Sequence, residues 1–259
     1  MAPVGVAVAK PLRGGNPCPI AATSLTSFQV FLDALVDGHM VSRGVRATYY
    51  FVMRGPMWLS GRYYRYFRQP SEPISVHLGP GQQEHRQLEG WVSLDANIIS
   101  ARPTVWANLL DGLPFRDGSV ARFYSYHTIE HLPDIFLPKL FRELHRCLVP
   151  GGGFRIGGPS AENGARKLLE GDAGWFGDFP DRRRSVGGRF TNFILCRNEH
   201  LTLLTASYLE ELASDAGFTD ITFPLVTGES AIDPDVLPTE DESDLACPHT
   251  VIIEARKPA

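Results

Sequence analysis

Residues 74–96 read ISVHLGPGQQEHRQLEGWVSLDA. ISVHLG (74–79) has the composition of a short buried strand and runs into a glycine turn, Gly79-Pro80-Gly81. Only about a dozen residues later WVSLDA (91–96) forms a second strand-like run that ends in a carboxylate, Asp95. A connection that short is near the lower limit for parallel neighbours. Two buried strands with a glycine turn after the first and an acid after the second predict two neighbouring strands of an α/β sheet.

The pattern repeats downstream. TVWANLL (104–110) is a third strand, ending at Asp111, and SVARFYSYH (119–127) is a fourth, ending in polar residues and His127. Leu137, Leu140, Phe141, Leu144 and Leu148 recur at helical spacing, and Pro150 with Gly151 to Gly153 stops that helix. FRIGGPS (154–160) is a fifth strand. Leu209, Leu212, Ala213 and Ala216 mark another helix, with Gly217 as its cap. ITFPLVTG (221–228) and HTVIIEARK (249–257) predict a closing pair of strands, and the seven acids of 229–244 predict an exposed loop between them.

Composition agrees with a folded domain. The chain has 259 residues, 43% apolar and 21% charged, which excludes collagen-like, coiled-coil and disordered classes. A formal net charge of −4 gives no global footprint for nucleic acid. No apolar run approaches the ~20 residues that span a bilayer. The opening MAPVGVAVAK lacks a basic segment, so no secretory signal is expected. The four cysteines (Cys18, Cys147, Cys196, Cys247) form no CxxC pair, which fits a cytoplasmic protein without a zinc site of that kind.

In open α/β sheets ligands bind beyond the carboxyl ends of the strands. Here those ends carry Gly79-Pro80-Gly81, Asp95, Asp111 and Ser125-Tyr126-His127. A carboxylate after the second strand suits two ribose hydroxyls, and Asp111 suits an adenine amine. A dinucleotide site would need GxGxxG, but Gly79-Pro80-Gly81 is followed by Gln82, Gln83 and an acid, Glu84, that opposes phosphate. There is no GxxxxGK[ST] loop either. An adenosine cofactor without phosphate fits better, and S-adenosylmethionine (SAM) meets that description.

These residues resemble a known family. HLGPGQQEHRQLEGWVSLDA is similar to the first two strands of class I SAM-dependent methyltransferases, in the branch with a short connection to Gly-Trp. DGLPFRDGSVARFYSYHTIEHL, LPKLFRELHRCLVPGGGFRIGGPS and SYLEELASDAGF resemble that branch's fourth strand, its helix and fifth strand, and its last helix. The resemblance covers roughly 74–257. It implies a Rossmann-like seven-stranded sheet, mostly parallel with an antiparallel C-terminal hairpin, and SAM as cofactor. It further implies that Gly79, Pro80 and Gly81 line the methionine and ribose, and that Asp95 holds the ribose with Ala96 beside the adenine. Leu110 and Asp111 would flank and bond the adenine, and Ser125 and Tyr126 would close the site. His77 and Gln83 depart from the family's acid and third glycine.

For chemistry, His127 is the first candidate base toward an acceptor and His200 the second. Glu130 and His131 read as helix-start residues, and no metal is expected. The branch implies a sugar or other small-molecule hydroxyl as acceptor. Segment 171–200, with Trp175, Phe176, Phe179, Phe190, Phe193 and several arginines, is a candidate lid. The rival readings are a methyltransferase-like binding module without turnover and a nicotinamide-dependent oxidoreductase.

The beginning of the chain differs. Residues 1–20 read as a tail and 21–72 as a helical leader or cap. Between Asp37 and Glu72 lie six arginines and no acid, and 49–67 holds eight aromatics. Arg with aromatics suits a membrane headgroup zone or an interface, so peripheral membrane contact through 43–68 and a homodimer are expectations. Residues 73–259 are then the catalytic domain.

Overall fold

The computed structural model describes residues 39–81, 88–99 and 101–259. The tail expected at 1–20, the first part of the leader, and Gln83 and Glu84 lie outside them. The chain divides into two compact units between Met53 and Arg54.

The second unit is built on one seven-stranded sheet. Its strands are β1 (Ile74–Leu78), β2 (Val92–Asp95), β3 (Val105–Trp106), β4 (Val120–Tyr126), β5 (Leu148–Pro159), β6 (Thr219–Thr222) and β7 (Thr250–Arg256). Their order across the sheet is β3-β2-β1-β4-β5-β7-β6. β1 pairs parallel with β2 and β4, β2 with β3 and β4 with β5, while β7 runs antiparallel to β5 and β6. The sheet reverses at β1/β4, where sequential connections leave in opposite directions, so the crevice there is the expected ligand site. The expected mostly parallel sheet with an antiparallel C-terminal end is the one observed.

Two strands are shorter than the sequence predicts. β3 stops at Trp106, because Ala107 N donates to Asp95 O and the chain then enters a helical turn at Leu109–Asp111. β6 stops at Thr222, so 223–228 are not strand.

Helix α2 (Leu137–Cys147) follows β4 and buries Leu137, Leu140, Phe141, Leu144 and Cys147. That stripe meets Val76, Leu78, Phe123, Phe154 and Ile156 of the sheet. α5 (Ala206–Asp215) adds Leu209, Leu212 and Ala213 to the same core. Each such side chain contributes about 1.5–3 kcal/mol by leaving water. The opposite face is covered differently: Tyr124, Tyr126 and Ile252 pack with Val226 and Val236 of the long segment between β6 and β7.

That segment, expected as an exposed acidic loop, is folded onto the sheet by its acids. Arg155, fully buried, donates to Glu240 at 2.7 Å and to Glu254 at 2.9 Å. Arg122 pairs with buried Asp233, and His249 bonds Glu242 at 2.7 Å. A buried ion pair is stable only with such full partnering, which explains why the acids need this address.

Helix α1 (His39–Tyr63) continues as a single wider turn over Tyr64–Arg68. The compact unit that carries the sheet begins at Arg54, so the end of α1 belongs to it. Met57 is fully buried, and Tyr64 packs edge-on to Phe115 at 6.0 Å. A Cβ on Gly61 would lie 2.8 Å from Pro114, so only glycine permits that approach. Helices α3 (Ala161–Glu170) and α4 (Val186–Leu195) lie beyond β5.

Candidate functional site

The end of β1 is shaped by backbone. Gly79 and Gly81 have φ of +64° and +67°, a region glycine enters at no cost. Gly79 N donates to Leu94 O at 2.8 Å, tying the turn to β2. A Cβ on Gly79 would lie 2.3 Å from Thr128 Cγ2, whereas one on Gly81 would meet open space. Asp95 closes this corner. Its carboxylate accepts from Gly81 N at 3.2 Å and from Asn97 N at 2.7 Å. Burial pushes the Asp95 carboxyl above its ordinary value, against the N–H bonds from Asn97 and Gly81 that favour the anion. Ala96 follows it and accepts from Trp106 Nε1 at 2.9 Å.

The end of β4 adjoins this corner. Ser125 is buried and its hydroxyl donates to Leu78 O at 3.2 Å. Thr128 Oγ1 donates to Gly79 O at 3.1 Å. Between them the chain turns at His127, whose φ of +53° is unusual for a residue other than glycine. His127 N is held on Gly157 O at 2.9 Å, which fixes that turn. The ring reaches Glu130 Oε1 from Nδ1 at 3.2 Å and Thr250 Oγ1 from Nε2 at 3.2 Å.

Glu130 was expected to start a helix, yet it caps none. It sits in a separate turn, Ile129–His131, and α2 begins at Leu137 without a side-chain cap. Its carboxylate is 1% exposed, beside Gly158, where a Cβ would lie 3.2 Å from Oε2. Burial raises the Glu130 carboxyl, but the His127 hydrogen bond and the neighbouring imidazoles outweigh that and hold it below the ordinary range. His200 is brought to the same turn from far along the chain. Leu201 N and Thr202 N both donate to Glu130 O, at 2.7 and 3.1 Å. The rings of His131 and His200 meet edge-on at 5.1 Å. Burial lowers the His200 imidazole from its ordinary value.

The structure thus brings together Gly79, Gly81, Asp95 and Ser125, and beside them His127 with His200. Pro80 is buried within the same turn. Two expected members point elsewhere. Tyr126 faces the opposite side of the sheet from Ser125, as strand alternation requires, and its hydroxyl donates to Asp241 O at 2.8 Å. Asp111, read as an adenine acceptor, accepts at Oδ1 from Arg54 Nε at 2.9 Å and from Nη2 at 2.6 Å. It belongs to a side cleft with Trp58, Arg62, Glu143 and Arg146, whose lining includes none of Gly79, Gly81, Asp95, Ser125 or His127. Leu110 lies in the same turn, and its carbonyl accepts from Lys139 Nζ at 3.3 Å.

The candidate lid is also spoken for. Trp175 stacks on His249 at 4.1 Å and packs with Phe176, Phe190 and Phe193 as a small core of its own. Arg189 and Arg197 pair with Asp178 and Asp181. Only the ring of Phe179 stands out among these, 80% exposed.

Residues 92–156 match the family model described as a methyltransferase domain. No curated protein matches the sequence. Among solved structures the chain is similar to phosphoethanolamine N-methyltransferase 2 of Haemonchus contortus in complex with S-adenosyl-L-methionine. The identity is 14% and the TM-score 0.45, over 78% of this chain and 53% of that one. It therefore spans about half of that enzyme's length. It is also similar to a possible histamine N-methyltransferase of Thermotoga maritima, at 16% identity and TM-score 0.47, over 84% of this chain and 95% of that one. A SAM-dependent methyltransferase of Archaeoglobus fulgidus aligns at 15% identity and TM-score 0.47, over 81% of this chain and all of its own, 100%.

Proposed function

We propose that this chain, a methyltransferase-domain enzyme of the class I SAM-dependent superfamily, methylates a hydroxyl of a sugar or other small molecule. When bound, SAM supplies a sulfonium-activated methyl group. The residues at the end of β1 and β2 suit that cofactor. Gly81 leaves open space over the turn, and Asp95 has lone pairs left for two ribose hydroxyls beyond its two backbone donors. The Asp95 carboxylate at this corner does not suit a pyrophosphate.

The observation that carries the hydroxyl reading is the His127–Glu130 pair. Glu130, buried and anionic, fixes the proton on His127 Nδ1 and leaves Nε2 with a lone pair. In the structure Thr250 Oγ1 lies at that lone pair, 3.2 Å away. An acceptor hydroxyl that takes its place surrenders its proton to Nε2 as its oxygen attacks. SAM held at this crevice would supply the methyl group to that oxygen, its sulfur keeping the electron pair of the broken bond. The strained turn at His127 aims the ring at this position, so alignment and proton removal come from one residue.

The outward face of α1 beyond Arg54 offers Trp58, Tyr63, Tyr66 and Phe67, with the Arg62 guanidinium 4.8 Å from the Trp58 ring. That composition suits the headgroup zone of a membrane on which an acceptor is presented. Among the described residues no helix is long and apolar enough to cross one.

The test has two arms. Calorimetric titration of Asp95→Ala with SAM should show a loss of ~1.5–3 kcal/mol, about 10- to 100-fold, in a folded protein. His127→Ala should keep SAM affinity within a few-fold and lose at least ~10² in turnover on a hydroxyl acceptor. Unchanged affinity in the first variant defeats the cofactor assignment; full turnover in the second moves the base to His200.

A further inference from the structure

One feature of the His127 corner goes unused in this mechanism. Glu130 has two carboxylate oxygens, and among the described residues only Oε1 has a partner. Oε2 is buried and accepts no hydrogen bond from any described residue. An unpaired buried carboxylate oxygen costs stability, so it calls for a ligand.

Two imidazoles lie beside the same carboxylate. His131 Nδ1 lies 3.0 Å from Glu199 O, and His200 Nδ1 lies 3.1 Å from Ile194 O. A carbonyl can only accept, so in both rings Nδ1 carries the proton. Each Nε2 therefore keeps its lone pair, the tautomer in which histidine binds metal, with the backbone carbonyl orienting the ring. His131 Nε2 is 4.0 Å from Glu130 Oε1. One ligand atom from each of Glu130, His131 and His200 falls within 4.8 Å of the other two. Bonds of about 2.0–2.2 Å in a tetrahedral site would set such atoms ~3.4 Å apart. His131 is 43% exposed, so a small shift of its side chain would close the remaining distance.

The scaffold holds this arrangement. The turn carrying Glu130 and His131 is pinned to the segment carrying His200 by the N–H groups of Leu201 and Thr202 on Glu130 O, and by Thr202 Oγ1 on Leu132 O at 2.6 Å. The geometry points to a binding site for a divalent first-row transition-metal ion, with Glu130, His131 and His200 as ligands and at least one position open. Two imidazoles and one carboxylate select zinc-like ions over magnesium, which prefers oxygen. His127, hydrogen-bonded to Glu130 Oε1, is a positioning residue for the carboxylate. An ion here would take the acceptor oxygen at its open position and lower its pKa, with the proton passing to His127. That role rests on the proposed hydroxyl methylation; the binding of the ion does not.

The experiment uses the full chain, stripped with a chelator, and titrates it with Zn²⁺ and separately with Mg²⁺. One zinc per chain is expected, with magnesium at least ~100-fold weaker. His131→Ala, at an exposed position, and His200→Ala should each weaken zinc at least ~10-fold. Both should also abolish the visible tetrahedral bands of the Co²⁺-loaded protein. His145→Gln, outside the cluster, should change neither. Less than about a tenth of an equivalent of zinc in the wild type overturns the proposal, as does unaltered affinity in the His131→Ala/His200→Ala double variant. SAM is titrated into the same stripped protein. Retained SAM binding without zinc binding removes the ion and leaves the methyl-transfer reading; zinc binding without SAM binding does the reverse.

Discussion

The corner at the ends of β1 and β2 and the corner at the end of β4 meet where Thr128 Oγ1 donates to Gly79 O, 3.1 Å away, yet they are made of different material. The first is backbone: two glycines at positive φ, N–H groups of Gly81 and Asn97, and one carboxylate that receives them. The second is side chains: His127, Glu130, His131 and His200, with a buried carboxylate oxygen that has no partner among the described residues. A backbone-built corner fixes shape and is suited to holding a ligand in one pose. A corner of imidazoles and a carboxylate moves protons or binds ions. Under the proposed function, holding and reacting would fall to separate, touching parts of the strand-end crevice.

The contact between the corners is where the comparison breaks most easily. Gly79→Ala places a Cβ 2.3 Å from Thr128 Cγ2 and forces alanine to φ +64°. Overpacking costs ~1–3 kcal/mol and the strained φ a further ~1–3, so a loss of about 2–6 kcal/mol in urea unfolding is expected. Adding Thr128→Gly should recover the steric part and leave the backbone part. A double variant no more stable than Gly79→Ala would mean that the two corners do not press on each other.

Glu130→Gln tests whether holding and reacting are separate. Glutamine keeps the volume and still accepts from His127, but it removes the buried negative charge. Turnover should fall by ~10² or more while SAM affinity stays within a few-fold. An equal fall in both would merge the corners into one site.

The two corners were also unequally legible in the sequence. Gly79, Asp95 and His127 lie at the ends of clear apolar runs, so periodicity located them. The sheet was legible for the same reason, except that β3 and β6 end earlier than expected and β5 begins at Leu148 rather than at 154. Glu130 and His131 were readable as residues but not as a cluster. Their third member, His200, is 69 positions from His131, and it is brought there by long-range bonds such as those of Leu201 N and Thr202 N to Glu130 O. A helix-start reading of Glu130 was the local choice, and a long-range contact overrode it. The acids of 229–244 hid their role in the same way, since Arg155, Arg122 and His249 are spread over the chain. Tyr126 shows the opposite error. It stands next to Ser125 in sequence, but one step along a strand turns a side chain to the other face.

The smallest effect expected concerns Asp95 and pH. Burial raises its carboxyl in the folded protein above the unfolded value, even with two N–H donors. The folded state therefore holds that proton more tightly than the unfolded state does. The stability this contributes is fully present below the unfolded carboxylate pKa and is lost as pH rises through the folded one. Asn at this position does not titrate. The stability of the wild type relative to Asp95→Asn should therefore decline as pH is raised from about 3.5 toward neutrality, the ordinary carboxylate value being ~3.9. SAM affinity of the wild type should move the other way over the same window, because the anion is the form that accepts from ribose hydroxyls. Chemical unfolding and calorimetric titration at matched pH read the two trends. Opposite slopes mean that Asp95 is kept for the cofactor at a cost to the fold. Parallel slopes, or a wild type that gains stability on Asp95→Asn as pH rises, would make Asp95 a structural cap for the Gly81 turn and remove it from the binding corner.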